Sequence, residues 1–176
     1  MQKFGAAALL ATILATTAAF AQTGTDMKDA KSIELKGSDG SSMGTVAFVP
    51  TAHGVLIEAD LMNVPDGTHG FHIHEKGLCE GDFKSAGGHY NPAKVDHGYM
   101  SETGPHAGDM PNVVASGGVV KVSVFNPNVM VTGGDAPLNG DNGSALVIHS
   151  GGDDYASQPS GDAGDRIACG VIFPAK

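Results

Sequence analysis

From residue 33 onward the apolar side chains of this chain recur at every second position, and that period commits it to strands. Ile33 and Leu35 alternate with Glu34 and Lys36, and Thr45–Val49, Val55–Ala59, His69–His74, Val119–Phe125, Ala145–His149 and Ile167–Phe173 are further strand-like runs. Successive side chains of a strand point to opposite faces, so such runs fit a sheet with one face on a core. No long segment carries the 3.6-residue spacing of an amphipathic helix. Of 176 residues 26 are glycine, many in Gly-Gly, Asp-Gly and Asn-Gly pairs, which mark tight turns. Short strands with frequent turns predict an all-β fold, an antiparallel sandwich or barrel.

Residues 1–21 stand apart. Met1-Gln2-Lys3 is a basic start, residues 5–18 are almost wholly apolar, and Ala19-Phe20-Ala21 has the small-x-small form of a cleavage site. This reads as a secretory signal peptide, since the apolar run is shorter than the ~20 residues of a spanning helix. Residues 22–30 are polar and expected to fray. Residues 31–176 then form a single domain. Loss of Lys3 with the leader takes the formal charge from −9 to −10. An acidic surface argues against nucleic acid as a partner, and no basic amphipathic stretch suggests membrane binding. In an exported chain Cys79 and Cys169 should pair as a disulfide, the alternative being two free buried thiols.

Two stretches break the strand rhythm, 75–111 and 150–165. Loops this long in a compact domain are commonly functional. The first holds His89, His97, His106 and Asp109; the second follows His149. Three histidines and a carboxylate suit tetrahedral zinc, against the alternative of a His-rich surface loop. His72 and His74 flank Ile73, so period-two geometry puts both imidazoles on one face. With His149 they suit copper, which imidazole ligates in both valences. The spacing sorts these residues into two sets that share His89. His69 reads as a structural histidine and His53 as a turn residue.

Taken together, Gly70-Phe71-His72-Ile73-His74-Glu75, Gly88-His89-Tyr90-Asn91-Pro92, His97-Gly98, His106-Ala107-Gly108-Asp109 and Arg166-Ile167-Ala168-Cys169-Gly170-Val171-Ile172 resemble the copper/zinc superoxide dismutases, and Gly151-Gly152-Asp153 after His149 is similar to their bacterial exported branch. The resemblance implies a Greek-key sandwich or flattened barrel of about eight strands with two long functional loops. It implies one copper on His72, His74, His89 and His149, and one zinc on His89, His97, His106 and Asp109. His89 would bridge the ions and act catalytically. Asp153 would tie a copper histidine to a zinc histidine. Arg166, the chain's only arginine, would attract superoxide; Asp165 beside it would blunt that field, and Lys76 and Lys84 would add to it. The implied reaction converts two superoxide anions and two protons to dioxygen and hydrogen peroxide, in the periplasm, where it protects the cell envelope. A homodimer stays open, and a non-enzymatic metal carrier of the same fold is the competing reading.

Overall fold

The computed structural model of the chain describes residues 29–176. The expected leader at 1–21 and most of the segment at 22–30 lie outside the described residues. The strands are β1 (Lys31–Gly37), β2 (Ser42–Thr51), β3 (Gly54–Leu61), β4 (Gly67–His69), β5 (Phe71–His74), β6 (Val113–Ala115), β7 (Val120–Asn126), β8 (Ser144–His149) and β9 (Arg166–Phe173). Seven form one curled antiparallel sheet in the order β5-β8-β9-β1-β2-β3-β7, and β4 pairs with β6 in a small second sheet. The connections from β3 to β5 and from β7 to β8 run between opposite ends of the large sheet. Among the described residues no helix is long and apolar enough to cross a membrane.

Alternation builds most of this fold. Ile33 and Leu35 of β1 are buried while Glu34 and Lys36 are exposed. Val55, Ile57, Ala59 and Leu61 of β3 enter the same core with Val46 and Phe48 of β2. Each fully buried side chain of this size contributes about 1.5–3 kcal/mol.

β5 and β8 depart from the pattern, because every residue in both is buried. Phe71, Ile73, Leu146 and Ile148 face the main core. Their alternating neighbours Ala145 and Val147 pack instead with Cys169, Phe83 and Ala86 in a second apolar cluster. The long loop after β5 covers that face and includes a short 3-10 turn at Lys84–Ala86. A disulfide between Cys79 and Cys169, 90 residues apart, ties the loop to β9, as expected from the sequence.

The run His69–His74, read as one strand, is two strands in different sheets. Gly70 is the switch: its N–H donates to Gly151 O at 2.8 Å and its carbonyl accepts from His149 N at 2.9 Å. A Cβ there would meet His72 Cε1 at 2.9 Å and Ala163 Cβ at 3.0 Å. β6, three residues long, is too short to show alternation and was not anticipated.

Candidate metal centre

Three elements carry the site. His72 and His74 share one face of β5, as their spacing predicts, and His149 ends the neighbouring β8. The β8–β9 register sets Arg166 opposite His149. The loop 75–111 folds back along the other edge of β5: Ile73 N donates to Gly108 O at 2.9 Å, and Tyr90 N donates to Ile73 O at 2.8 Å. These bonds pair His74 with His89 and His72 with Asp109. Unpaired strand groups are thereby satisfied, and the same bonds bring two loop ligands to two strand ligands.

His72, His74, His89 and His149 form one buried set whose ligand atoms lie within 4.8 Å of one another; His89, His97, His106 and Asp109 form a second. His89 belongs to both, with ring centroids 4.1 Å from His72 and 5.1 Å from His97.

Outer partners fix which nitrogen of each ring faces inward. His74 Nδ1 lies 3.0 Å from Gly87 O, and His149 Nδ1 lies 3.2 Å from Gly164 O. Carbonyls only accept, so both rings carry the proton on Nδ1 and turn Nε2 inward. Asp153 accepts from His72 Nε2 at 2.8 Å and from His97 Nε2 at 3.0 Å, which frees Nδ1 on both. In the second set His89 Nδ1, His97 Nδ1 and His106 Nδ1 lie 2.8, 3.0 and 3.3 Å from Asp109 carboxylate oxygens.

His72 Nδ1, His74 Nε2, His89 Nε2 and His149 Nε2 are buried without a hydrogen-bond partner, and His97 Nδ1 and His106 Nδ1 meet only the Asp109 carboxylate. Leaving one such group unsatisfied costs about 1–3 kcal/mol, so four together require another partner. Bound cations would supply it, and the donors fit: four imidazoles for copper, three imidazoles and a carboxylate for zinc.

Electrostatics favour the ligating forms of His74, His89, His149 and Asp109. Burial pushes the His89 imidazole down to about 4 and His149 down to about 3, with His72 and other neighbouring rings adding to both shifts. Burial likewise holds His74 well below its ordinary value. All three are therefore neutral at pH 7, as metal ligands must be. Burial would raise the Asp109 carboxyl, but hydrogen bonds from His106, His89, His97 and Gly98 N hold it far below the usual carboxylate range. Asp153 is held at about 2, where bonds from His72, His97 and Tyr155 N outweigh burial. His97 is raised, because bonds to Asp109 and Asp153 outweigh its burial.

A cavity of about 530 Å³ opens onto this cluster, lined among others by His74, His89, His106, His149 and Arg166. Arg166 donates from Nη1 to Phe83 O and from Nη2 to Gly87 O, each at 2.6 Å. Lys84 and Asp165 line an adjoining cavity of about 470 Å³ that shares Arg166. Lys76 lines neither. His69 is buried between Pro65 O at 2.7 Å and His149 O at 2.8 Å, a structural place, and His53 is an exposed turn residue.

Sequence reading missed three supports. Asn112 clamps the Asp153 backbone, donating to Asp153 O and accepting from Asp153 N, both at 2.8 Å. Gln158 does the same to His97, with both bonds at 2.9 Å. Gly161, at φ 72°, leaves room beside Asp153 and His97, which a Cβ would strike. Asn112 and Gln158 lie far in sequence from the residues they clamp, so no local spacing marks them.

Fold and site together define an all-β protein with a curled antiparallel sheet and two buried ligand clusters that have one imidazole in common. Residues 42–172 match the family described as copper/zinc superoxide dismutase, and the chain belongs to that family. It is 45% identical over 168 residues to a copper-zinc superoxide dismutase of Aquifex aeolicus, covering 93% of this chain and 95% of that protein. A double mutant of a SOD-like protein from Bacillus subtilis superposes with a TM-score of 0.79 at 36% identity, over 81% of this chain and 97% of that one. The Cu/Zn superoxide dismutase of Brucella abortus gives 0.68 at 30% identity, over 82% and 99%. The chain is accordingly an oxidoreductase that converts superoxide and protons to dioxygen and hydrogen peroxide, with copper and zinc as cofactors.

Proposed function

We propose that His72, His74, His89 and His149 hold the copper, and that His89, His97, His106 and Asp109 hold the zinc. The observation that carries this reading is the set of four partnerless buried ring nitrogens on His72, His74, His89 and His149, beside a second ligand cluster that shares His89. Copper bound there supplies the one-electron couple, while zinc keeps a fixed valence. His89 is the residue suited to carry a proton at Nε2, because its Nδ1 stays engaged on the Asp109 side. Arg166 is suited to orient the anion, since two loop carbonyls anchor its guanidinium beside His149. Two divalent ions less one imidazolate and Asp109 leave about +2 at the oxidised centre, which outweighs the acidic surface locally. Surface charge is screened beyond ~8 Å at physiological salt.

Asp153 has the role of an outer partner, fixing two tautomers and two ring planes at once. The Cys79–Cys169 bridge holds the loop that supplies His89 and the Arg166 anchors. We place the mature protein, a single domain from about residue 31 on, in the periplasm. The apolar leader and the disulfide support that address. The role there is defence of the cell envelope against superoxide.

Metal content per chain, with a copper EPR spectrum of the purified holoprotein, tests the assignment. One copper and one zinc, with a copper EPR signal altered by His89→Gln, is the expected result. Two ions without a shared imidazole would refute it.

A further inference from the structure

The two cavities that meet at Arg166 carry different charge. The adjoining one is lined by Lys84 and Arg166 against Asp82 and Asp165, and is formally neutral. The one over His89 and His149 is lined by Lys94 and Arg166 against Glu75 alone, and keeps one positive charge before any metal is counted. Asp165, beside Arg166 in sequence, therefore does not line the mouth. Neither do Lys76 and Lys84, the lysines that sequence position suggests.

We propose that Lys94 is the second cation, beside Arg166, that guides superoxide to the His89–His149 face; this rests on the ligand and arginine assignments above. Among the described residues no acidic group lies within 4.0 Å of its ammonium, whereas Lys36, Lys121 and Lys176 are all paired. Its charge is exposed and free to act on an incoming anion. The backbone gives an independent sign. Lys94 sits at φ 54°, a left-handed conformation that is unfavourable for most residues with a Cβ and more readily adopted by glycine or asparagine. The turn itself needs no lysine. Asn91 builds it, accepting from Lys94 N at 3.2 Å on its carbonyl and bonding Val95 through both side-chain atoms, at 2.8 and 3.2 Å. The turn thus gives no reason for a lysine at this position, whereas the cavity that its side chain lines does.

The test uses copper- and zinc-loaded protein and four variants: Lys94→Asn, Lys94→Arg, Lys121→Gln as a control for net charge, and Arg166→Ala. Superoxide decay is followed by pulse generation at about 10 mM and about 1 M ionic strength, where the screening length is ~30 and ~3 Å. Azide affinity, read from the copper absorption band, serves as a second probe with the same charge. Lys94→Asn should lose about three- to tenfold in kcat/KM at low salt, within the range known for charged clefts, superoxide dismutase among them. It should converge with the parent at high salt and weaken azide binding in parallel. Lys94→Arg should restore both, and Lys121→Gln should change neither. Thermal stability of Lys94→Asn should be equal or higher, because asparagine tolerates the turn. A Lys94→Asn enzyme as fast as the parent at low salt, or a loss that arginine does not restore, overturns the role of Lys94 while leaving Arg166 and the metal assignment intact. A parent without copper-dependent decay, or an Arg166→Ala enzyme indistinguishable from it, overturns the underlying reading as well.

Discussion

Asp153→Ala separates the support of the metal ligands from the ligands themselves. The carboxylate is buried and accepts three bonds: His72 Nε2 at 2.8 Å, His97 Nε2 at 3.0 Å and Tyr155 N at 2.7 Å. Alanine leaves two imidazole N–H groups unpaired in a dry interior, at about 1–3 kcal/mol each, or about 2–6 kcal/mol in all. Part of that falls on folding. The rest falls on ligation, because His72 and His97 lose the bond that sets their tautomer, and the rings can turn the wrong nitrogen inward. Outer partners of metal-bound histidine are worth about 10–100-fold in affinity, or about 1.4–2.7 kcal/mol. Both metals should weaken by that factor, since the two rings serve different clusters. Asp153→Asn should recover at most half of the loss, because its amide oxygen accepts from one ring while its NH2 faces the donor of the other. Competition against chelators of graded strength measures each metal separately. The loop keeps its tether, because Asn112 bonds the backbone of residue 153 and not its side chain. If Asp153→Ala held both metals within about twofold of the parent, the tautomer argument would be refuted.

His149→Ala should abolish copper-dependent superoxide decay yet leave zinc binding near parental, since His149 belongs to one cluster only; metal analysis and a decay assay on the same sample decide it. Arg166→Ala should slow the reaction and flatten its dependence on ionic strength, and an unchanged rate at low salt would count against steering by this group. Removing the disulfide by Cys79→Ser with Cys169→Ser should cost about 4–5 kcal/mol in denaturant unfolding, from the entropy of a closure this long, and should lower the rate of the folded fraction by loosening the carbonyls that hold Arg166.

Much of the fold was legible because alternation and burial coincide in β1, β2 and β3. It failed where partners are distant. His69–His74 alternates without a break, yet β4 pairs with β6 and β5 pairs with β8, and the only local trace of the division is Gly70. The two histidine clusters were legible for a different reason: a strand fixes the common face of His72 and His74, and a long loop dense in histidine and glycine has few other uses. The electrostatics were less so. Lys84 and Asp165 adjoin recognisable motifs but look into the side cavity, while Lys94 reaches the mouth from a turn with no distinguishing signal.

The nitrogen each ring presents was not legible at all, and it is what couples the two halves of the centre. The Gly87 carbonyl accepts from His74 Nδ1 at 3.0 Å and from Arg166 Nη2 at 2.6 Å. One oxygen thus sets the tautomer of a strand histidine and the position of the arginine. It can serve both because an oxygen has two lone pairs and because the loop bearing it is held from two sides. Phe83 and Ala86 anchor it in the second apolar cluster, and Cys79 bonds it to β9, the strand that carries Arg166. A shift of this loop would therefore disturb ligand and arginine together. The apolar covering of β8 thereby positions a ring nitrogen and a guanidinium from outside both ligand clusters.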